Sequence, residues 1–362
     1  MKFSLLYLPA YEAGARGGEA AIYDQMFAEV DHAERHGYHR VWVAEHHGGG
    51  YGGQLPCVPI MLAALAQRTR RIGLASGAVC IPLHRPMELA EQLAMVDVLS
   101  GGRLHVGCAT AFLPHEFAAY ELDMDEARER FREGIEVIRG LWTQERFAFD
   151  GQFSRFPATE LTPKPVQKPH PRMSIATVMT RESFEYAGHN GFDLMVVPYI
   201  NSLEDVAERI GWYHAALREA GHDPAEFNVM AAFHAYCHED DAVAYERMKK
   251  PMHDYLACVR DSAHGHFGKG YAGYARLAEG VQALMDSYDL MYRERTLLGT
   301  PDKLVLRVRD CAAAGITELS FITLLPALSA AHAMASLELI TAQVIPACSG
   351  VADGAARAAA GA

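Results

Sequence analysis

The alternation of short apolar runs with helical segments predicts an α/β protein built as a single (β/α)8 barrel. Three observations carry that prediction. The runs have strand length and lie between amphipathic stretches, which implies parallel strands with helices packed outside them. Eight such runs can be counted, a number that closes into a barrel more readily than it spreads into an open sheet. No Gly-x-Gly-x-x-Gly follows the first run, so a doubly wound dinucleotide-binding sheet lacks its fingerprint. A length of 362 residues suits one such domain.

Residues 3–8 form an apolar run closed by Pro9, as expected of a buried parallel strand. Residues 19–36 then carry helical spacing (Ile22, Met26, Val30, Ala33) and stop at Gly37, a suitable C-cap. The second strand is 40–44, followed by a helix containing 62–67, and the third strand is 72–81. Pro86 opens a third helix over 86–99, since proline is tolerated in a first turn. A Ser100-Gly101-Gly102 turn leads to the fourth strand, 104–106.

The pattern then loosens. Residues 126–142 read as an amphipathic helix, and 147–171 as a Pro-rich crossing without helical period. Strands follow at 173–176, 194–197, 229–236 and 319–322, with helices at 181–188, 203–220, 301–314 and 331–344. The barrel is assigned to 1–348. Within it 241–298 is too long for a connection and is read as a helical insertion with a mobile lid before the last strand. The Gly/Ala-rich stretch 349–362 is read as a disordered tail.

Composition narrows the function classes. With 45 acidic against 33 basic residues the net charge is −12, and no basic stripe stands out. That argues against a nucleic-acid surface and against docking on an anionic membrane. Seven cysteines are scattered without Cys-x-x-Cys spacing, which reads as free thiols in a reducing compartment. The first residues lack a signal-peptide pattern, and no apolar stretch reaches bilayer length, so a cytoplasmic location is expected. His264 and His266 lack partners at ligand spacing, and no metal is expected.

The sharpest cluster is Glu45-His46-His47 followed by Gly48-Gly49-Gly50-Tyr51-Gly52-Gly53, at the end of the second strand. In a barrel of this kind the carboxyl ends of the strands form the catalytic face. Imidazole titrates near neutrality and suits proton transfer. Side chains alternate along a strand, so one of the two histidines enters the mouth easily. The glycines allow close approach to a ligand, although a plain flexible turn would look the same.

Here the chain resembles the bacterial luciferase-like monooxygenases. The resemblance rests on residues 3–8, on the Glu-His-His segment, and on Ile81-Pro82-Leu83-His84-Arg85-Pro86 with Leu89-Ala90-Glu91. It continues through Asp97 with Leu99-Ser100-Gly101-Gly102-Arg103-Leu104, and through Gly299-Thr300-Pro301 with Gly315-Ile316. It implies reduced FMN at the barrel mouth, reacting with oxygen to form a flavin peroxide that oxidises a small organic substrate. A separate flavin reductase would supply the reduced FMN, and a homodimer is the family's expectation. His46 resembles the family's catalytic histidine, with Glu45 fixing the strand end. Ser76-Gly77-Ala78 resembles the stretch that packs on the flavin ring, where the family often has a strained peptide. Thr180, Arg181 and Ser183 resemble the phosphate turn, and Thr110 falls beside the flavin. Hydroxyls, a guanidinium and a helix start suit a phosphate dianion, though an ordinary N-cap has the same look.

The chain also departs from the light-emitting members. Cys108 sits one place early, Thr110 stands where they carry arginine, and Cys108 reads as a small barrel-lining core residue. Arg85 or Arg181 are the candidates to replace that charge. Tyr7, Tyr11, Trp42, Phe112, Phe117 and Tyr199 are candidates for an apolar substrate pocket. Two alternatives stand beside the monooxygenase reading. One is F420-dependent hydride transfer on the same fold. The other is a non-catalytic flavin-binding companion subunit, against which the presence of His46 counts.

Overall fold

The computed structural model describes residues 1–10, 18–263 and 275–349. Its strands are β1 (Lys2–Tyr7), β2 (Arg40–Val43), β3 (Gly73–Cys80), β4 (Leu104–Ala109), β5 (Phe147–Asp150), β6 (Arg155–Thr159), β7 (Met173–Thr177), β8 (Asp193–Val196), β9 (Val229–Cys237), β10 (Leu297–Gly299) and β11 (Glu318–Ile322). Eight of them run parallel around a closed barrel in the order β1, β2, β3, β4, β7, β8, β9, β11, with β11 returning to β1. The helices outside it are α1 (Glu19–Arg35), α2 (Val58–Arg68), α3 (Pro86–Ser100), α5 (Ala127–Thr143), α6 (Arg181–His189), α7 (Leu203–Glu219), α11 (Pro301–Ala313) and α12 (Ala330–Leu339), and the short α4 (Pro114–Ala119) precedes α5. The expected (β/α)8 barrel is therefore the observed fold. Among the described residues no helix is long and apolar enough to cross a membrane.

Strand parity explains why these runs are apolar throughout. Leu5, Val41, Val43, Leu74 and Val106 face the helix layer and pack with Leu62, Leu65, Leu89 and Ile138. Their neighbours Leu6, Trp42, Ala75, Met195, Met230 and Ala232 point inward and form a second core inside the barrel. A sheet buried on both faces has no polar face to alternate with. Cys108 belongs to the helix-side core, which corrects its expected place lining the barrel. Burial there pushes its thiol up, away from reactivity.

The insertion contains α8 (Asp241–Ser262), α9 (Ala275–Asp286) and the single turn α10 (Tyr288–Leu290), and it ends in β10. Met248, Met252, Tyr255 and Leu256 of α8 join the inner core, so this helix plugs the mouth side of the barrel. The β10 strand pairs with the end of β9, Leu297 opposite Ala235 and Gly299 opposite Cys237. The expected lid, 261–274, and the expected tail lie almost wholly outside the described residues.

The 147–171 crossing holds an element that its sequence pattern does not announce. An antiparallel ribbon, β5 with β6, stacks Phe149 on Phe156 and sets Phe147 tilted against the first and edge-on to the second. Pro157 lies inside β6, and proline in a strand is confined to edges.

A polar network closes the opposite, amino-terminal face. The fully buried Glu318 accepts hydrogen bonds from Ser4 Oγ (2.6 Å), Asn228 Nδ2 (2.7 Å), Trp42 Nε1 (2.8 Å) and the Arg40 guanidinium (3.1 Å). Burial alone would raise this carboxyl, but Arg40, His39 and the hydrogen bonds outweigh burial and hold it below its ordinary range. Chemistry is not expected at this end of a barrel, so the network reads as stability.

Several buried histidines set an acid limit on the fold. Burial lowers His234 to about 3 and His214 to about 4, and it pushes the buried His105 well below its ordinary range. The unfolded chain, with imidazoles near ~6.5, binds more protons below that pH than the folded chain does. Stability is therefore full above ~6.5 and is lost as pH falls toward these lowered values. Thermal melts between pH 7.5 and 4 should show Tm falling continuously below pH 6.5. A flat profile down to pH 4.5 would contradict the burial argument.

Candidate active site

Past the end of β2, the backbone stays in register with the sheet. Ala44 N–H donates to the Tyr7 carbonyl (3.0 Å) and Glu45 N–H to that of Ala78 (3.2 Å). Alternation then sends Glu45 and His46 in different directions. Glu45 accepts the Cys80 N–H (3.2 Å), and its other oxygen lies 2.7 Å from His47 Nε2 and 2.8 Å from His84 Nε2. Burial pulls the Glu45 carboxyl upward, but the two imidazoles outweigh it and hold it at about 2. His47 Nδ1 meets the Tyr120 hydroxyl at 2.9 Å, so both nitrogens of this ring are taken. Glu45 thus ties three chain segments together beside the mouth.

His46 takes the other direction. Its Nδ1 lies 2.9 Å from Glu116 Oε1 on α4, and the same oxygen accepts the His47 N–H at 2.8 Å. The ring lies tilted on Tyr51 (4.8 Å between centroids) and edge-on to Phe112 (5.7 Å). Among the described residues its Nε2 has no hydrogen-bond partner. The glycine loop makes this seat possible. Gly52 has φ +73°, and a Cβ there would lie 2.7 Å from His46 Cδ2. Glu116 was not among the residues singled out from sequence. Its local signal is a proline followed by an acid in a first turn, Pro114-His115-Glu116.

Beside this lies the strip Ser76-Gly77-Ala78 in β3. The Gly77–Ala78 peptide bond is cis, at the point where the register with β4 shifts. Ser76 donates to the Gly107 carbonyl (2.9 Å). A Cβ on Gly107 would sit 2.3 Å from the Ser76 carbonyl oxygen, so the strands touch backbone to backbone here.

A recess opens at the ends of β4 and β7 and at the start of α6. Thr110, Thr177, Thr180, Ser183 and Tyr186 line it, together with Arg128 and Arg132 of α5. Thr180 Oγ1 and Ser183 Oγ are 2.7 Å apart. Arg128 and Arg132 both bond Glu182, at 2.5 and 2.6 Å. Arg181 turns the other way: its side chain is 67% exposed, bonds Glu185 (2.7 Å) and lies over the Trp212 ring. Arg85 is also outside, paired with Glu88 at the surface.

The candidate pocket aromatics divide. Tyr199 is buried against His234, and Phe112 faces His46. Tyr7 bonds Glu29 of α1, Trp42 is committed to Glu318, and Phe117 is packed in a small core under α4. Tyr11 lies outside the described residues.

An imidazole held by a carboxylate at a barrel mouth has the chemistry that proton transfer needs, and the recess of hydroxyls and guanidiniums beside it has the donors that suit an anion. Comparison with known proteins agrees with the resemblance of the motifs. The luciferase-like monooxygenase family model matches residues 1–318. The chain belongs to this family. It is an oxidoreductase. Over 361 residues it is 28% identical to the oxygenase component of a flavin-dependent trigonelline monooxygenase of Acinetobacter baylyi, covering 96% of this chain and 95% of that one. It is also 28% identical over 312 residues to an FMNH2-dependent dimethylsulfone monooxygenase of Pseudomonas putida, with 81% and 80% covered. The crystal structure of the monooxygenase RslO1 from Streptomyces bottropensis superposes with a TM-score of 0.84 at 31% identity, covering 96% of this chain and 99% of that one.

Proposed function

We propose that this luciferase-like monooxygenase is the FMN-dependent oxygenase component of a two-component system acting on a small organic substrate. The observation that carries the reading is the recess at the start of α6, placed on the same barrel mouth as His46. Its donor set fits a phosphate dianion: two hydroxyls 2.7 Å apart, a helix start, and two guanidiniums at the wall. Thr180, Ser183, Arg128 and Arg132 would hold the phosphate, with Thr110 beside it. Arg128 and Arg132 take the part that sequence reading gave to Arg181. The strip of Ser76, Gly77 and Ala78 has no large side chain and offers a flat surface to a ring.

When bound, reduced FMN supplies the electrons that let molecular oxygen deliver one atom to the substrate. The protein's own contribution is positional and protonic. Glu45, through His47 and His84, keeps the end of β2 fixed. His46 holds or moves a proton at Nε2. Tyr51 and Phe112 keep bulk water off the ring. Two named relatives, one an oxygenase component and one FMNH2-dependent, support a reductase acting in trans. The exposed Ile60, Met95, Val98 and Leu99 on α2 and α3 support a second copy of the chain docking on that face.

Anaerobic titration with reduced FMN, and separately with reduced F420, tests the reading. Reduced FMN should bind, and 18O from labelled oxygen should appear in product. Removing both hydroxyls (Thr180→Ala with Ser183→Ala), or replacing Arg128 by Ala, should weaken FMN binding about 10- to 100-fold. Preference for F420 without oxygen uptake would replace the reading with hydride transfer. Tight flavin binding without turnover of any substrate would favour a companion subunit.

A further inference from the structure

We propose that Glu116 is the positioning residue for His46, holding its neutral ring as the Nδ1–H form so that Nε2 presents the lone pair at the mouth. The role in turnover rests on the monooxygenase reading. The state of the ring does not.

The argument starts from one oxygen. A backbone N–H can only donate, so Glu116 Oε1, 2.8 Å from the His47 N–H, is an acceptor. His46 Nδ1 lies 2.9 Å from that same oxygen, and two lone pairs at that distance would repel. Beside an ionised Glu116, which can only accept, Nδ1 therefore carries hydrogen, and the neutral ring has its lone pair on Nε2. Glu116 is fully buried, and among the described residues its second oxygen, Oε2, has no partner. A buried carboxyl with half its acceptor capacity unused costs stability, which is poor design for a purely structural group. It suits a group whose charge is needed when His46 takes up a proton at Nε2. The imidazolium then faces a carboxylate across 2.9 Å in a water-poor site.

The other titratable groups around His46 are committed elsewhere. Glu45 serves His47 and His84, and Tyr120 caps His47. His115, also on α4, binds the His47 carbonyl (2.9 Å). Tyr51, under the ring, is held protonated by burial and then by neighbouring Tyr255. The Cys80 thiol is pushed up by burial, then by Glu45 and Glu116. Glu116 is the one carboxylate touching His46 among the described residues.

The test uses the flavin-free protein, labelled with 15N/13C-histidine, with His46→Asn to assign the resonance. In the wild type the His46 ring should show the Nδ1–H form above its titration midpoint. Glu116→Gln keeps the shape and an acceptor oxygen but removes the charge. It should lower the His46 midpoint by about one to three pH units, because a nearby opposite charge has been lost. Glu116→Ala should abolish the Nδ1–H preference. Loaded enzyme should show the matching shift in the pH profile of kcat with KM nearly unchanged. If both variants fold, by near-ultraviolet circular dichroism, and leave midpoint and tautomer as in the wild type, the proposal is overturned. If the NMR shifts appear but reduced FMN does not bind, the monooxygenase reading fails while the role of Glu116 stands.

Discussion

His46→Ala is expected to lower turnover about 10^2- to 10^4-fold, the range removed with a positioned general acid or base. Reduced FMN should still bind, because the residues assigned to its phosphate lie on α5, just past β4 and at the start of α6, away from the end of β2. The variant should also fold normally, since among the described residues the ring makes a single side-chain hydrogen bond, to Glu116. Stopped-flow binding and steady-state rates measured on the same preparation separate the two effects. A loss confined to binding, with kcat intact, would remove His46 from the chemistry. Partial rescue by added imidazole would strengthen its place there, because Gly52 and Tyr51 leave a cavity of the right shape.

The largest effect on stability is expected at the other end of the barrel. Glu318→Ala leaves four donors, from Ser4, Trp42, Arg40 and Asn228, without their shared acceptor. Breaking a buried charged network from one side destabilises by about 3–5 kcal/mol, because the partner charge stays buried and unpaired. At this chain length that corresponds to a Tm drop of about 4–7 °C. Glu318→Gln retains one acceptor oxygen and should lose less. Calorimetry of the three proteins at pH 7.5 provides the comparison. A Tm for Glu318→Ala within about 2 °C of the wild type would show that water replaces the carboxylate at this face.

Much of this architecture was legible because it follows from period alone. The eight barrel strands are buried on both sides and read as continuous apolar runs. The glycine-rich stretch after Glu45-His46-His47 announces a backbone that must pass close to something, and Gly52 shows that the something is His46 itself. What escaped was information held between distant residues. Glu116 lies 70 positions from its histidine, on a helix of six residues that no periodicity test can register. Arg128 and Arg132 sit on an ordinary amphipathic helix, where nothing local separates an arginine facing a recess from one facing solvent. Arg181, at the expected turn, looked the better candidate and points outward. The place of Cys108 was within reach of strand parity, since Val106 shares its side of β4. The β5–β6 ribbon was hidden by Pro157, and β10 by having three residues.

The seating of α8 has a consequence for the order in which the chain folds. Met248, Met252, Tyr255 and Leu256 share one apolar cluster with Leu6 and Trp42, more than two hundred positions earlier in the chain. The helix can form locally within microseconds, but its partners exist only once β11 has joined the first strands to β9. Barrel closure and roof docking therefore form a late, shared step with a high entropic barrier. A nascent chain that has emerged only as far as β8 presents an open, greasy trough, and during synthesis that trough is the natural client surface for a holdase chaperone.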